Sequence, residues 1–506
     1  MVVNQLKTGA FLSYVIIVLN SLIGLLYTPY MLRMMGKSEY GLYSLAASVV
    51  AYLTVLDLGF GNAIVRYTAK FRAEGKVREQ EEMFGMFIIL YSVISVVAFV
   101  LGLVLYFNVD GLFSRAMSPE EVHKVELMML LLTFNLAFTF PMSIWGSIIT
   151  AYEDFVFQRV VSILRIVLNP LVMIILLMMG YRSIAMVVVT TIFNVLTLLL
   201  NLWYCKNRIH IKVRFGRFKW GFLKEVSIYS FWIFLNAIMD RIYWSTGQFV
   251  LGIFKGAAVV AVYAVAIQLQ SMYMMFSTAI SNVFLPRITA MVSQHKSERE
   301  FSDLFIRTGR VQYIVMAFIL TGFILFGAQF IRFWAGKGYD DAYVIALLFF
   351  IPLTVPLIQN VGISILQARN EMKFRSVLYV IIAIASVGLS VPMSKMFGGI
   401  GCAIATALAL VLGHVIVMNI YYYKKIHLDI PRFWKEIGKM SIAPLIVGVF
   451  IYWTFQWVDI SRLTIFVIAL IVFVLIYVPV CWKFSMNSKE RNLIASPIKQ
   501  IIQRLK

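Results

Sequence analysis

The chain has 506 residues, of which 61% are apolar or aromatic and only 14% charged, with a mean hydropathy of +0.86 and a formal net charge of +21. A water-soluble protein of this length buries a large core but needs a far more polar surface than this composition supplies. In a soluble protein +21 would point to nucleic acid; in a chain this apolar it reads as a topology signal, and no nucleic-acid partner is expected.

Apolar runs long enough to cross ~30 Å of hydrocarbon as helices recur from end to end. Fourteen are expected, at 9–33, 40–65, 84–107, 125–151, 160–180, 183–205, 227–254, 257–285, 311–335, 342–368, 377–396, 399–423, 440–457 and 463–482. The first lacks a small-residue cleavage site and is too long for a signal-peptide core, so it is expected to stay in the mature protein. With the N-terminus inside, 33 of the 45 Lys and Arg fall on the cytoplasmic side and 10 on the other, with Arg165 and Arg241 inside helices. That bias predicts both termini in the cytoplasm, with some attraction to anionic headgroups.

Along the chain, Asn20 and Ser21 sit midway in the first run. Asp57 lies in the second, beside Gly59 and Gly61. It either holds a break in that helix or takes part in substrate or ion coupling. The outward loops are short, the longest running from Asn108 to Lys124, and none has room for a catalytic domain. In the fifth run Ser162, Arg165 and Asn169 share one helical face next to Pro170. An arginine there either snorkels to the headgroups or offers its fork of donors to a pyrophosphate. The segment 206–225 carries seven Lys and Arg interleaved with aromatics and is expected to be an interfacial linker on the positive side.

The seventh run contains "LNAIMDRIYWS", residues 235–245. Asp240 and Arg241 fall near the bilayer midplane, where a charge costs at least ~2.5 kcal/mol on the most lenient scale. Being about 100° apart on a helix, they do not neutralise each other across one face. With Asn236, Tyr243 and Trp244 they form a polar-aromatic stripe that must meet protein or water. It is read as either a helix-packing device or the wall of a cavity. Asn135, Gln268, Gln270, Gln359 and Asn360 are weaker polar candidates, for which bonding between helices is the default. His414, in the twelfth run, is most simply a structural histidine. Pro29, Pro141, Pro170, Pro352 and Pro356 mark places where helices bend. Cys205, Cys402 and Cys481 have no metal-site neighbours and read as packing residues. The tail "NLIASPIKQIIQRLK" places its isoleucines on one face and is expected to lie on the membrane surface as a helix.

The chain also resembles itself. "GKSEYGLYSLA" (36–46) aligns with "GAAVVAVYAVA" (256–266) at an offset of 220, "RYTA" (66–69) with "RITA" (287–290) at 221, and Arg159 and Ile184 with Arg375 and Ile400 at 216. Similar offsets at three places predict an all-α architecture of two parallel six-helix lobes, 1–206 and 227–425, joined by the basic linker 207–226. A further helix pair (426–483) and a tail (484–506) follow. Asp240 and Arg241 then correspond to Asn20 and Ser21, so each lobe places a polar pair at the same depth.

The segments "LDLGFGNAIVRYTAKFRAEGK" (56–76), "GKSEYGLYSLA" and "MDRIYWSTGQFVLGIFKGAAVVAVYAVA" (239–266) resemble the polysaccharide-biosynthesis, Wzx-like flippases. These belong to the multidrug/oligosaccharidyl-lipid/polysaccharide exporter superfamily. The resemblance implies a MATE-like pair of helical lobes in the plasma membrane that opens alternately to each side. It implies no enzyme activity and an undecaprenyl-pyrophosphate-linked oligosaccharide as substrate. Lipid II, a teichoic acid precursor or a small cationic drug are the cargoes of related proteins. On this reading Arg165, Arg241, Asn20, Asn169, Asn236 and Gln268 are substrate-binding candidates and Asp57 and Asp240 ion-coupling candidates. No cofactor is implied beyond proton or sodium coupling. The bilayer and other polysaccharide-assembly membrane proteins are the expected partners. A membrane glycosyltransferase or polymerase would need a constellation of acidic or basic groups near the membrane face, and the outward loops offer none.

Overall fold

The computed structural model describes residues 5–216, 220–281, 284–369, 371–492 and 495, and every regular element among them is helical. The helices are α1 (Gln5–Met35), α2 (Lys37–Leu53), α3 (Phe60–Ala73), α4 (Val77–Phe113), α5 (Pro119–Ala151), α6 (Phe155–Met178), α7 (Ser183–Asn207), α8 (Trp220–Lys255) and α9 (Ala257–Ser281). They continue as α10 (Leu285–Ser293), α11 (Glu298–Trp334), α12 (Asp341–Ile358), α13 (Asn360–Ala368), α14 (Lys373–Leu410), α15 (Met418–Lys424), α16 (Ile430–Phe455) and α17 (Leu463–Phe484).

All fourteen apolar runs fall on these helices. By length and composition, twelve stretches of the described residues can cross a membrane, and one of them, Met372–Lys424, contains two of the runs. The break between those two is Gly398, at φ 58°. Run seven is α8, which is 36 residues long. Large apolar side chains cover the outside as well as the core: Phe107 on α4 is 77% exposed and Leu475 on α17 is 67% exposed. Such surfaces are stable against lipid and not against water. The chain is a multi-pass membrane protein.

Some runs are interrupted, each for a local reason. The second is split into α2 and α3 by a 3-10 turn at Thr54–Asp57 followed by two left-handed residues, Leu58 and Gly59. The tenth is split into α12 and α13 at Gln359, after Pro352 and Pro356 have each removed a helix N–H. The twelfth contains a π-helical segment at Val411–Val417, whose buried Gly413 lies against Ile382.

The helices fall into two compact units: residues 1–264 with 383–402, and residues 265–382 with 403–506. In the first unit α4 packs along α5, α5 along α7, α1 along α6 and α2 along α8. Its core includes Phe84, Phe87, Tyr91, Ile144 and Ile148, all fully buried. The linker docks on this core. From Ile209 to Arg214 it alternates in burial, with Ile209, Ile211 and Val213 packed inward and His210, Lys212 and Arg214 outward. The Arg214 backbone N–H donates to Glu81 O at 3.1 Å, and its guanidinium pairs with the Glu81 carboxylate at 2.6 Å. Residues 209–214 of the segment expected to lie in the interface are therefore an extended strap on α4. In the second unit α11, α16 and α17 share a core of Phe326, Val447, Ile451, Ala469 and Phe473. The expected surface helix of the tail lies outside the described residues.

The turns that the internal alignment pairs share a positive φ of the same size. Gly36 (φ 79°) joins α1 to α2 and Gly256 (φ 81°) joins α8 to α9, each as a single residue. Both alignment arginines, Arg159 and Arg375, lie in the first turns of helices that open a new run, α6 and α14.

Candidate functional site

The substrate-binding and ion-coupling candidates lie on α1, α6 and α8 and at the Asp57 turn in the first unit, and Gln268 lies in the second. On α6, Arg165, Ser162 and Asn169 are half-buried. The Ser162 hydroxyl is taken up by its own helix, donating to Gln158 O at 2.8 Å. Arg165 Nη1 donates to Asn194 Oδ1 on α7 at 3.3 Å. The Asn194 amide then donates to Asn135 Oδ1 at 2.8 Å and to Thr139 Oγ1 at 2.7 Å, both on α5. Asn194 is thus the centre of a polar tie across three helices, with both amide hydrogens used. Sequence reasoning passed it over because an asparagine in an apolar run looks the same whether it ends a chain of bonds or organises one. Arg165 makes one hydrogen bond here among the described residues and keeps most of its five donors for something else.

Asp57 ends the 3-10 turn that breaks the second run. Its Oδ1 accepts a hydrogen bond from Tyr91 Oη at 2.9 Å, and Tyr91 is fully buried against Phe140 with nearly parallel rings 6.5 Å apart. A carboxylate in this position anchors the break to α4, and the turn itself packs against α8.

On α8 the buried stripe is Met239, Tyr243, Thr246 and Val250, spaced as one helical face. Thr246 and Tyr52 share a hydrogen bond at 2.6 Å, tying this face to α2. The Tyr243 ring stands edge-on to Trp244 at 4.9 Å. Asp240 and Arg241 stand exposed beside the stripe, and Asn236 is half-buried one turn earlier. Asn20, which corresponds to Asp240 in the repeat, is likewise exposed on α1, while the Ser21 hydroxyl is bonded to Ile17 O at 2.9 Å.

In the second unit the weaker candidates are mostly tied to protein. Gln359 and Asn419 exchange two amide hydrogen bonds, at 2.8 and 3.2 Å, and Trp434 Nε1 donates to the same Asn419 oxygen at 2.9 Å. Asn360 donates to Ser281 at 3.1 Å. Gln270 is buried and turned toward Met274 of its own helix. His414 lies in the π-helical segment, edge-on to Tyr379 at 5.3 Å, and Arg375 lies 5.4 Å from the Tyr379 ring centre. No cluster of three or more His, Cys, Asp or Glu side chains able to hold a metal occurs among the described residues. The three cysteines are free and buried.

A helical bundle with a lipid-facing apolar surface, broken helices and charges at membrane depth defines a multi-pass membrane transporter. The chain belongs to the polysaccharide biosynthesis protein family, whose sequence profile matches residues 6–292. It is 20% identical to a putative O-antigen transporter of Shigella flexneri over 402 residues, covering 78% of this chain and 92% of the relative. Among solved structures it is similar to the lipid II flippase MurJ in an inward closed conformation, with a TM-score of 0.71 and 18% identity, covering 93% of this chain and 97% of that one. An inward-facing multidrug resistance MATE transporter of the MOP superfamily matches with a TM-score of 0.60 and 14% identity, over 82% of this chain and 99% of that one. These likenesses establish the MOP-superfamily fold.

Proposed function

We propose that the protein is a flippase for a lipid-linked oligosaccharide, moving it from the inner to the outer leaflet of the plasma membrane by alternating access during surface polysaccharide biosynthesis. Membership of the polysaccharide biosynthesis protein family over more than half the chain carries the reading. The chemistry at membrane depth agrees with it. The cargo couples a long apolar tail to an anionic pyrophosphate and a polar glycan. Arg165 and Arg241 supply cations suited to the pyrophosphate. Asn20, Asn169, Asn236 and Gln268 supply donors and acceptors suited to sugar hydroxyls. Asp240, and Asp57 at the helix break, are the groups that a coupling proton or sodium ion would neutralise. Two six-helix repeats, 1–206 and 227–425, with both termini cytoplasmic, complete the proposal; the matching positive φ at Gly36 and Gly256 supports them.

The decisive experiment is to deplete the protein and identify which lipid-linked glycan accumulates in the inner leaflet. Accumulation of an undecaprenyl-pyrophosphate-linked repeat unit supports the proposal. Accumulation of lipid II or a teichoic acid precursor replaces the cargo and keeps the flippase. No accumulation, together with a gain in sensitivity to cationic drugs, would overturn it in favour of an antiporter.

A further inference from the structure

A cavity of about 760 Å³ opens within the second unit, away from every residue assigned above, where α10 and α11 meet the start of α16 and the segment after α17. It is in the size range of a small-molecule site. Its floor is Arg310, only 8% exposed. Nε and Nη2 of Arg310 grip the two oxygens of Glu490 at 2.6 and 3.0 Å, Nη1 donates to Glu436 at 2.7 Å, and Nη2 also reaches Ser485 O at 3.4 Å. Glu490 is itself 3% exposed and accepts from the Asn487 backbone N–H and side-chain amide at 2.8 and 3.0 Å. The floor is thus rigid, with one guanidinium held by two carboxylates, and the cavity lining as a whole carries six cations against four carboxylates.

The walls are not matched. Arg432 pairs with Asp303 at 2.6 Å and Lys296 with Glu300 at 3.1 Å. Arg287, Arg307 and Lys489 also line the cavity, are exposed, and have no hydrogen bond or ion pair among the described residues. Three positive side chains from three separate segments, held around one cavity, repel one another when it is empty. An anion there gains charge-assisted bonds from all of them. The first apolar turn of α11 begins at Val311, on the cavity wall, so the site lies at the level where lipid phosphates end and water begins.

We propose that this cavity binds a phosphate-bearing ligand with at least two negative charges. The inference rests on the cavity and its charges, independently of the transported cargo. The same chemistry is offered by the headgroup of an anionic membrane lipid and by a water-soluble pyrophosphate compound, and the experiment separates the two. Full-length protein in neutral detergent is titrated with inorganic pyrophosphate, with dihexanoyl phosphatidic acid and with dihexanoyl phosphatidylcholine, and binding is followed by thermophoresis. Saturable binding of pyrophosphate, phosphatidic acid or both is expected, with none of phosphatidylcholine. It should weaken at least tenfold in an Arg287→Gln, Arg307→Gln, Lys489→Gln variant whose thermal midpoint matches the parent. A preference for phosphatidic acid identifies the lipid source, and a preference for pyrophosphate the soluble one. A second variant, Lys206→Gln, Arg208→Gln, Lys212→Gln, removes three exposed cations elsewhere and should bind as the parent does. Failure of both anions to bind, or equal loss in the two variants, overturns the proposal.

Discussion

At the alignment offset of 220 Asp240 falls on Asn20, and both are exposed on their helices, so the carboxylate is the feature that needs a reason. A charge at Asp240 is retained against a cost of ~2.5 kcal/mol or more. Asp240→Asn keeps shape and hydrogen-bonding capacity, and we expect it to fold normally and flip substrate at less than a tenth of the parent rate in liposomes. A parent-like rate with and without an ion gradient means that the charge plays no part in transport. Arg165 and Asn194 are expected to separate in the opposite sense. Asn194→Leu leaves Asn135, Thr139 and Arg165 without their shared partner, at a cost of about 1–3 kcal/mol, seen as a lower unfolding temperature in detergent. Arg165→Gln loses one 3.3 Å bond and should barely alter that temperature, yet combined with Arg241→Gln it should abolish glycan export. Arg165→Lys distinguishes charge from fork: retained export says charge suffices, and loss says that the paired donors are used.

At the scale of elements, the composition and spacing of residues revealed the runs of helix and several of their breaks, because both have local causes. Gly59, with its positive φ, and Pro352 and Pro356, which lack an N–H, weaken a helix locally, although α1, α5 and α6 continue through Pro29, Pro141 and Pro170. Both glycines that the internal alignment pairs, Gly36 and Gly256, have the positive φ that a one-residue turn between these helices takes. This has a measurable consequence. A Cβ at Gly36 meets nothing within 4 Å, whereas one at Gly256 would lie 2.6 Å from Ala116 O. Gly36→Ala should then cost only the strain of its positive-φ, extended backbone, about 1–3 kcal/mol, and Gly256→Ala clearly more. Thermal unfolding of the two variants side by side checks the order, and equal losses would contradict the packing at Ala116. What could not be read locally was pairing over distance. The linker showed basic and aromatic residues, but its alternation of Ile209, Ile211 and Val213 became meaningful only with α4 beneath it. Glu490 meets Arg310 from 180 residues away, and nothing near either residue announces the other. The Asn194 tie is of the same kind. An intramembrane charge can be recognised one residue at a time; its partner cannot.

At the scale of the whole molecule, the strongest statement the charges make is about orientation. On the fourteen-run reading, Lys and Arg crowd the termini and the even-numbered connections, 33 against 10, and residues of that kind are held back from crossing during insertion. The expectation can be tested with cysteine chemistry, since Cys205, Cys402 and Cys481 are buried and should give a low background. Arg115 and Asp459 are exposed in loops expected outside, and Lys76 and Lys212 are exposed in segments expected inside. In intact cells, Arg115→Cys and Asp459→Cys should react with a membrane-impermeant maleimide, while Lys76→Cys and Lys212→Cys should react only after permeabilisation. The four sites span both units, so the pattern also tests whether they insert with one orientation. Reaction of the Lys76 and Lys212 variants from outside would invert the molecule. The cavity floored by Arg310 would then face away from the cytoplasm. A mixed pattern within one side would instead remove a crossing, and the natural place to look for it is Gly398, where two of the fourteen runs join without a loop.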